Sequence, residues 1–202
     1  MTDPAPPLAL PRSRPDLIAF LKNRRSNLAK FMEGPGPDPA QVKELLTLAA
    51  RVPDHRKLTP WRFILIQGTA RERLGETIET SFKKDNPSVS DPARLTFECA
   101  RFLRAPLSVA VVFSPQDCPR GTPLWEQQLS SAVCCYNLLL GAQAMGFGAQ
   151  WLTEWVAYHP DVHDHLGLRK DEKIAGFIYI GTVKDIPQPR VRPDLENIVK
   201  TL

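Results

Sequence analysis

Apolar residues recur at intervals of three and four in Val42, Leu45, Leu46 and Ala49, the spacing of one helix face. The residues before them, Asp38-Pro39-Ala40-Gln41, supply an N-cap, a proline at the first helical position and a glutamine three residues after the cap. Together they predict an amphipathic helix over 39–51. Asp16 offers a cap for a shorter helix through Leu17, Ile18, Phe20 and Leu21, and Asp91-Pro92 opens another near 92–103. Thr122-Pro123 opens the longest, near 123–145. On it Leu129, Val133, Tyr136, Leu140 and Ala144 share a face. Its second half is apolar nearly all round, which marks a central, buried helix, ended by Gly146.

Between the helices, short runs rich in β-branched and aromatic residues predict strands at 62–67, 107–113, 148–152 and 174–180. Two helices followed by strands separated by helices give an α+β fold, with a central sheet of about four strands flanked by helices. Pro4, Pro6, Pro7, Pro11 and Pro15 make residues 1–15 a disordered or extended arm. Residues 16–186 read as the folded domain. Residues 187–202, with Pro187, Pro189 and Pro193 around Arg190 and Arg192, read as an extended C-terminal arm in which Asp194 can cap a last short helix. That arm is either a solvated end or a segment reaching another subunit.

A chain of 202 residues suits one domain, and its 43% hydrophobic and 24% charged residues are ordinary for a soluble protein. No run approaches the roughly 18 apolar residues that cross a membrane. The opening lacks the apolar stretch of a secretory signal, so the expected location is cytoplasmic, with no membrane partner. The net charge of +4 suits an anionic ligand. The basic residues are scattered and do not alternate with aromatics, which argues against nucleic acid. Cys99, Cys118, Cys134 and Cys135 form no Cys-x-x-Cys pair and read as buried, reduced thiols.

Four segments can carry chemistry. In Arg24-Arg25-Ser26, two forked guanidiniums and a hydroxyl are suited to a phosphate, although paired arginines are usually solvated surface. Arg51-Val52-Pro53-Asp54-His55-Arg56, leading through Pro60-Trp61 into a strand, sets cations in a stiff loop. Gly146-Phe147-Gly148 allows close backbone approach before a strand that ends in Leu152-Thr153-Glu154, a usual place for a ligand. His159 and His163, with His165 nearby, have a zinc-like spacing on a short helix, but no glutamate stands where the base of a His-Glu-x-x-His site would be.

In this order the first three segments resemble the nitroreductase family, in its small branch whose loop reads Arg-x-Pro-Asp-His-Lys/Arg followed by Pro-Trp. The matching positions are Arg51, Pro53, Asp54, His55, Arg56, Pro60 and Trp61, joined by Arg24-Arg25-Ser26, by Gly146-Phe147-Gly148 before Trp151, and by the stretch Gly176 to Thr182. The resemblance implies a mainly antiparallel sheet and an intertwined homodimer with FMN at the interface. Arg24, Arg25 and Ser26 would contact the flavin's phosphate, ribityl and pyrimidine side, and Arg51 and His55 would reach it from the partner chain. Leu152, Thr153 and Glu154 would lie against it with a backbone N–H facing N5, and Arg192, with Arg190, would supplement the phosphate site.

NADH or NADPH would be the electron donor, and nitroaromatics, quinones or a similar small electrophile the acceptor, by a ping-pong mechanism. No side chain need act as nucleophile and no metal is required, because the flavin N5 carries the chemistry. Two departures stand out. Leu28 occupies a position that is cationic in many members, leaving Lys30 as the nearest cation, and Leu152-Thr153-Glu154 replaces Arg-Ser-Gly. A glutamate there either repels anionic substrates or contributes only its backbone. The rival readings are a flavin-storing or sensing module without turnover, and a zinc hydrolase built on His159, His163 and His165.

Overall fold

The structure, a computed structural model, describes residues 10–202, so most of the expected N-terminal arm lies outside the described residues. The regular elements are α1 (Pro15–Asn23), α2 (Pro39–Ala49), β1 (Trp61–Gln67), α3 (Ala70–Asp85), α4 (Pro92–Cys99), β2 (Leu107–Phe113), α5 (Leu124–Ala144), β3 (Gly148–Leu152), α6 (Pro160–His165) and β4 (Lys173–Gly181). They divide between two compact units. One runs from Ser26 to Pro187 and holds the sheet; the other joins residues 10–25 with Gln188–Leu202.

Local chemistry explains most helix starts. At α2, Asp38 Oδ1 accepts from Gln41 N–H at 2.8 Å and Gln41 Oε1 accepts from Asp38 N–H at 2.9 Å, a reciprocal capping box. Asp91 caps α4 through Ala93 N–H. Two starts differ from expectation. Arg14, not Asp16, is the N-cap of α1; Pro15 fixes the first turn, and the Asp16 carboxylate is taken by the Arg14 guanidinium. Pro123 rather than Thr122 caps α5, because the Thr122 hydroxyl accepts from Arg56 and donates to the Cys118 thiol. The helix α3 carries too few apolar residues to announce itself; its buried stripe is Leu74, Ile78 and Phe82, spaced by four.

The sheet is antiparallel throughout, in the order β1-β2-β4-β3. Every residue of β2 is buried, so both faces must be covered. Leu107, Val109 and Val111 meet Val42, Leu45 and Ala49 of α2 and Cys134, Leu138, Leu139 and Ala142 of α5. Ala110 faces the opposite layer, where Leu74 and Ile78 of α3 pack with Phe102, Phe177 and Tyr179. A bulge in β4 changes sides: Val111 pairs with Gly176 and Val112 with Ile174, leaving Ala175 as the extra residue. Ile174 and Phe177 therefore enter the same cluster although three residues apart.

The longest helix corrects the sequence reading. Its face of Cys134, Cys135, Leu138, Leu139 and Ala142 is buried against the sheet. The helix is not buried all round: the face beginning with Leu129, Val133 and Tyr136 is 46%, 39% and 40% exposed, and Trp125 beside it is 67% exposed. The cysteines divide likewise. Cys134 and Cys135 are buried, burial pushing the Cys134 thiol up to about 12, whereas Cys99 and Cys118 are only half-buried. Among the described residues no helix is long and apolar enough to cross a membrane.

Asp38→Ala removes one arm of the capping box and should cost about 1 kcal/mol of stability, read from urea unfolding midpoints. Glu172, whose side chain is fully buried, accepts from Arg62 Nε and Nη2, both at 2.8 Å. Those hydrogen bonds, opposed by burial and helped by Arg169 N–H, hold its carboxyl down at about 2. A folded value below the unfolded one means that the stabilisation is complete above the unfolded value, about 4.3. It is lost as pH falls through about 2. Glu172→Gln should therefore be less stable than the parent near neutral pH, and the gap should close on acidification, followed by denaturant midpoints across that range.

Candidate flavin-binding site

The smaller unit gathers three of the sequence-predicted residues. Arg24 is the C-cap of α1, its N–H donating to Phe20 O. Arg192 Nη2 donates to the Arg24 carbonyl at 3.2 Å, and Arg25 Nε donates to the Gln188 carbonyl at 2.8 Å. The C-terminal arm is thus laced to the two arginines through backbone carbonyls, Arg192 reaching that of Arg24 and Arg25 that of Gln188. Three forked donors within one unit are a donor set suited to a phosphate.

In the larger unit, the chain after Ser26 runs along β3. Asn27 N–H donates to Ala149 O at 3.1 Å, and Ala29 N–H to Gln150 Oε1 at 2.6 Å. Glycine at 148 makes room on two sides: a Cβ there would lie 2.4 Å from Val183 Cγ1, too close to fit, and 3.3 Å from Asn27 Cβ, a tight contact. A second glycine makes room for the last aromatic of the strand. A Cβ on Gly176 would lie 1.9 Å from Trp151 Nε1, whose N–H donates to the carbonyl of the bulged Ala175. Lys30, the cation nearest the position taken by Leu28, is exposed, with Nζ 4.8 Å from the Phe31 ring centre.

Arg51 and His55 are presented by a different layer. Asn137 Nδ2 donates to Arg51 O, Ser130 Oγ to Pro53 O, and His55 Nδ1–H to Glu126 Oε2 at 2.6 Å. Positions 126, 130 and 137 form one stripe of α5, which pins the loop to the edge of that helix beside its exposed apolar face. His55 is about half-exposed there.

Leu152, Thr153 and Glu154 are half-buried at the end of β3, and the Glu154 carboxylate turns onto two arginines. Arg101 Nη1 donates to Oε1 at 2.5 Å, and Arg104 Nη1 to Oε1 and Oε2 at 3.2 and 3.1 Å. The charge of this glutamate is thus paired with Arg101 and Arg104. Behind them Glu98, fully buried, accepts from Arg101 and from Trp155 Nε1–H. Burial opposes its ionisation, but those hydrogen bonds and the charges of Arg101 and Arg94 hold its carboxyl below the usual range. Sequence reasoning missed all three residues; about fifty positions separate Arg101 from Glu154, and no local spacing links them.

The histidines engage separate partners. His159 caps α6, its Nδ1 accepting from Asp161 N–H and its Nε2–H donating to Asp85. His163 donates to Ala157 O, and His165 Nδ1 meets Thr77 Oγ1. Among the described residues no group of histidine, cysteine and acidic side chains could hold a metal ion.

Comparison with known proteins agrees with this architecture. The model of the Nitroreductase family matches residues 21–182. YdjA of Escherichia coli K12, provisionally named an NAD(P)H nitroreductase, is 32% identical over 170 residues, covering 83% of this chain and 88% of that protein. A nitroreductase-like family protein from Bacillus cereus shares the fold with a TM-score of 0.79 at 22% identity, over 97% of this chain and 99% of that one. A nitroreductase with bound FMN from Bacteroides fragilis does so at 0.68 and 20% identity, over 93% and 98%. The extent of the family match, together with the antiparallel sheet and its flanking layers, places this chain in the nitroreductase family.

Proposed function

We propose that the chain is an FMN-dependent NAD(P)H oxidoreductase that works as a homodimer. The observation that carries this reading is the position of Arg51 and His55. They stand on the α2–α5 layer at the border of an uncovered apolar face, whereas the turn Leu152–Glu154 is held from the other layer by Arg101 and Arg104. A second copy of the chain lying on Leu129, Val133 and Tyr136 would remove that face from water and carry Arg51 and His55 of one protomer to the cofactor of the other.

The residues fit the cofactor by their donor chemistry. Arg24, Arg25 and Arg192 supply forked, permanently charged donors for a phosphate, and Ser26 adds a hydroxyl. The backbone of Leu152, Thr153 and Glu154 supplies a surface for the ring system, Arg51 of the second chain would add positive charge that favours a reduced, anionic ring, and His55 would add an imidazole beside it. When bound, FMN supplies the two-electron chemistry, taking hydride from NADH or NADPH and passing electrons to a nitroaromatic, a quinone or a similar small electrophile. No nucleophile or general base is asked of the protein. Successive use of one pocket by donor and acceptor gives ping-pong kinetics.

Two measurements test this reading. Protein incubated with FMN and desalted should keep a visible flavin band, and anaerobic NADH or NADPH should bleach it. A colourless product would refute the reading, and a bound flavin that neither nicotinamide bleaches would favour a storage or sensing module. Leu129→Glu combined with Val133→Glu places charge on the exposed face without touching the protomer's own core. It should convert a dimer to monomers in sedimentation and weaken FMN binding at least about tenfold. A parent protein that sediments as a monomer would contradict the two-chain site.

A further inference from the structure

Among the described residues, four other than glycine have positive φ: Arg56, Lys57, Thr59 and Glu154. Arg56, at φ 65°, ψ 17°, lies near the ordinary left-handed well. Glu154 does not. At φ 53°, ψ −178° it occupies a region that glycine alone enters freely. Such a conformation persists only where the surroundings impose it, and here they are visible. The carboxylate is gripped by Arg101 and Arg104, both from the 3-10 turn Ala100–Arg104 that continues α4.

The grip is itself braced. The Arg101 side chain is 5% exposed; its other edge, Nε and Nη2, donates to the fully buried Glu98. Glu98 also accepts from Arg94 Nη2 at 2.7 Å and from the Trp155 indole at 3.0 Å. The guanidiniums of Arg101 and Arg104 rest 5.3 and 5.0 Å from the Phe97 ring centre. Five charged groups thus alternate in sign from Arg94 through Glu98, Arg101 and Glu154 to Arg104, and the chain of contacts ends on the one strained residue of the turn after β3. Buried ion pairs contribute little net stability compared with apolar packing, but they fix one geometry against its alternatives.

We propose that Arg101 and Arg104 are positioning residues for the flavin: by gripping the Glu154 carboxylate they hold the Leu152–Glu154 backbone in the strained conformation on which the ring system rests. This rests on the flavin reading above and adds to it a device from a separate part of the chain. The arginines act through Glu154, and no contact of theirs with the cofactor is invoked.

The test compares Glu154→Ala with Glu154→Gly in the FMN-loaded dimer. Both lose the grip equally, but glycine enters the required φ and ψ without it, whereas alanine does not. FMN dissociation constants from flavin fluorescence, flavin midpoint potentials from dye-equilibrated titration, and melting temperatures of the flavin-free protein are the readouts. Glu154→Ala should weaken FMN at least about tenfold and shift the potential, and Glu154→Gly should lose at least about threefold less. Arg104→Met should shift both readouts in the same direction as alanine, with Arg104→Lys restoring part of the loss. Indistinguishable alanine and glycine variants, wild-type behaviour in both, or losses that only track melting temperature would overturn the inference while leaving the flavin reading intact. A failure of all the substituted proteins to fold would assign the cluster to stability and overturn it as well. A parent protein that takes up no FMN would remove the flavin reading and this inference together.

Discussion

Burial of β2 on both faces is the constraint from which the larger unit follows. A strand with no solvent-facing residue needs two covering layers, supplied by α2 and α5 on one side and by α3 with the turn around Phe102 on the other. The bulge at Ala175 lets β4 serve both layers, and glycine at 176 then admits the Trp151 ring. Each proposed ligand group of this unit hangs from one layer or the other. Arg51 and His55 depend on polar positions of α5, and Leu152–Glu154 on arginines that follow α4.

This division gives the uncovered face of α5 a meaning. A helix that buries Cys134, Leu138 and Ala142 while leaving Trp125, Leu129, Val133 and Tyr136 in water has apolar surface on two sides, and only one is satisfied within the protomer. Covering the second side with another copy would remove that exposure and bring the borders carrying Arg51 and His55 onto a second molecule. Dimer formation and cofactor binding then become one event energetically, since each adds to the surface the other requires.

Much of the fold was legible in the chain. Strands at 107–113 and 148–152 coincide with β2 and β3, because apolar runs bounded by turns leave few alternatives. Asp38-Pro39-Ala40-Gln41 folds as its spacing predicts, since the capping box is wholly local. What escaped was non-local. The polar α3 is held by three apolar residues that mean little without their partners in the opposite layer. The apolar face of α5 was visible, but whether it meets its own chain or another is not written in helical periodicity. Of the candidate site, the donor residues are proposed from a resemblance, whereas the grip of Arg101 and Arg104 on Glu154 was not legible in the chain, because it joins segments about fifty residues apart and leaves no local pattern. The same glutamate looked like a departure where related chains have glycine; its φ of 53° shows that the backbone keeps a glycine-like conformation.

The central claim is that each FMN is held by residues of two chains, and mixing two damaged proteins tests it most directly. One carries Arg24→Ala with Arg25→Ala, the other Arg51→Ala with His55→Ala, so every site in either homodimer lacks one of these two pairs. Mixed dimers formed by unfolding and refolding the two together would each contain one site with all four residues intact. A shared site predicts that tight FMN binding, weak in either protein alone, returns in the mixture at up to one site per mixed dimer. A mixture that binds no more FMN than the two proteins measured separately would contradict it.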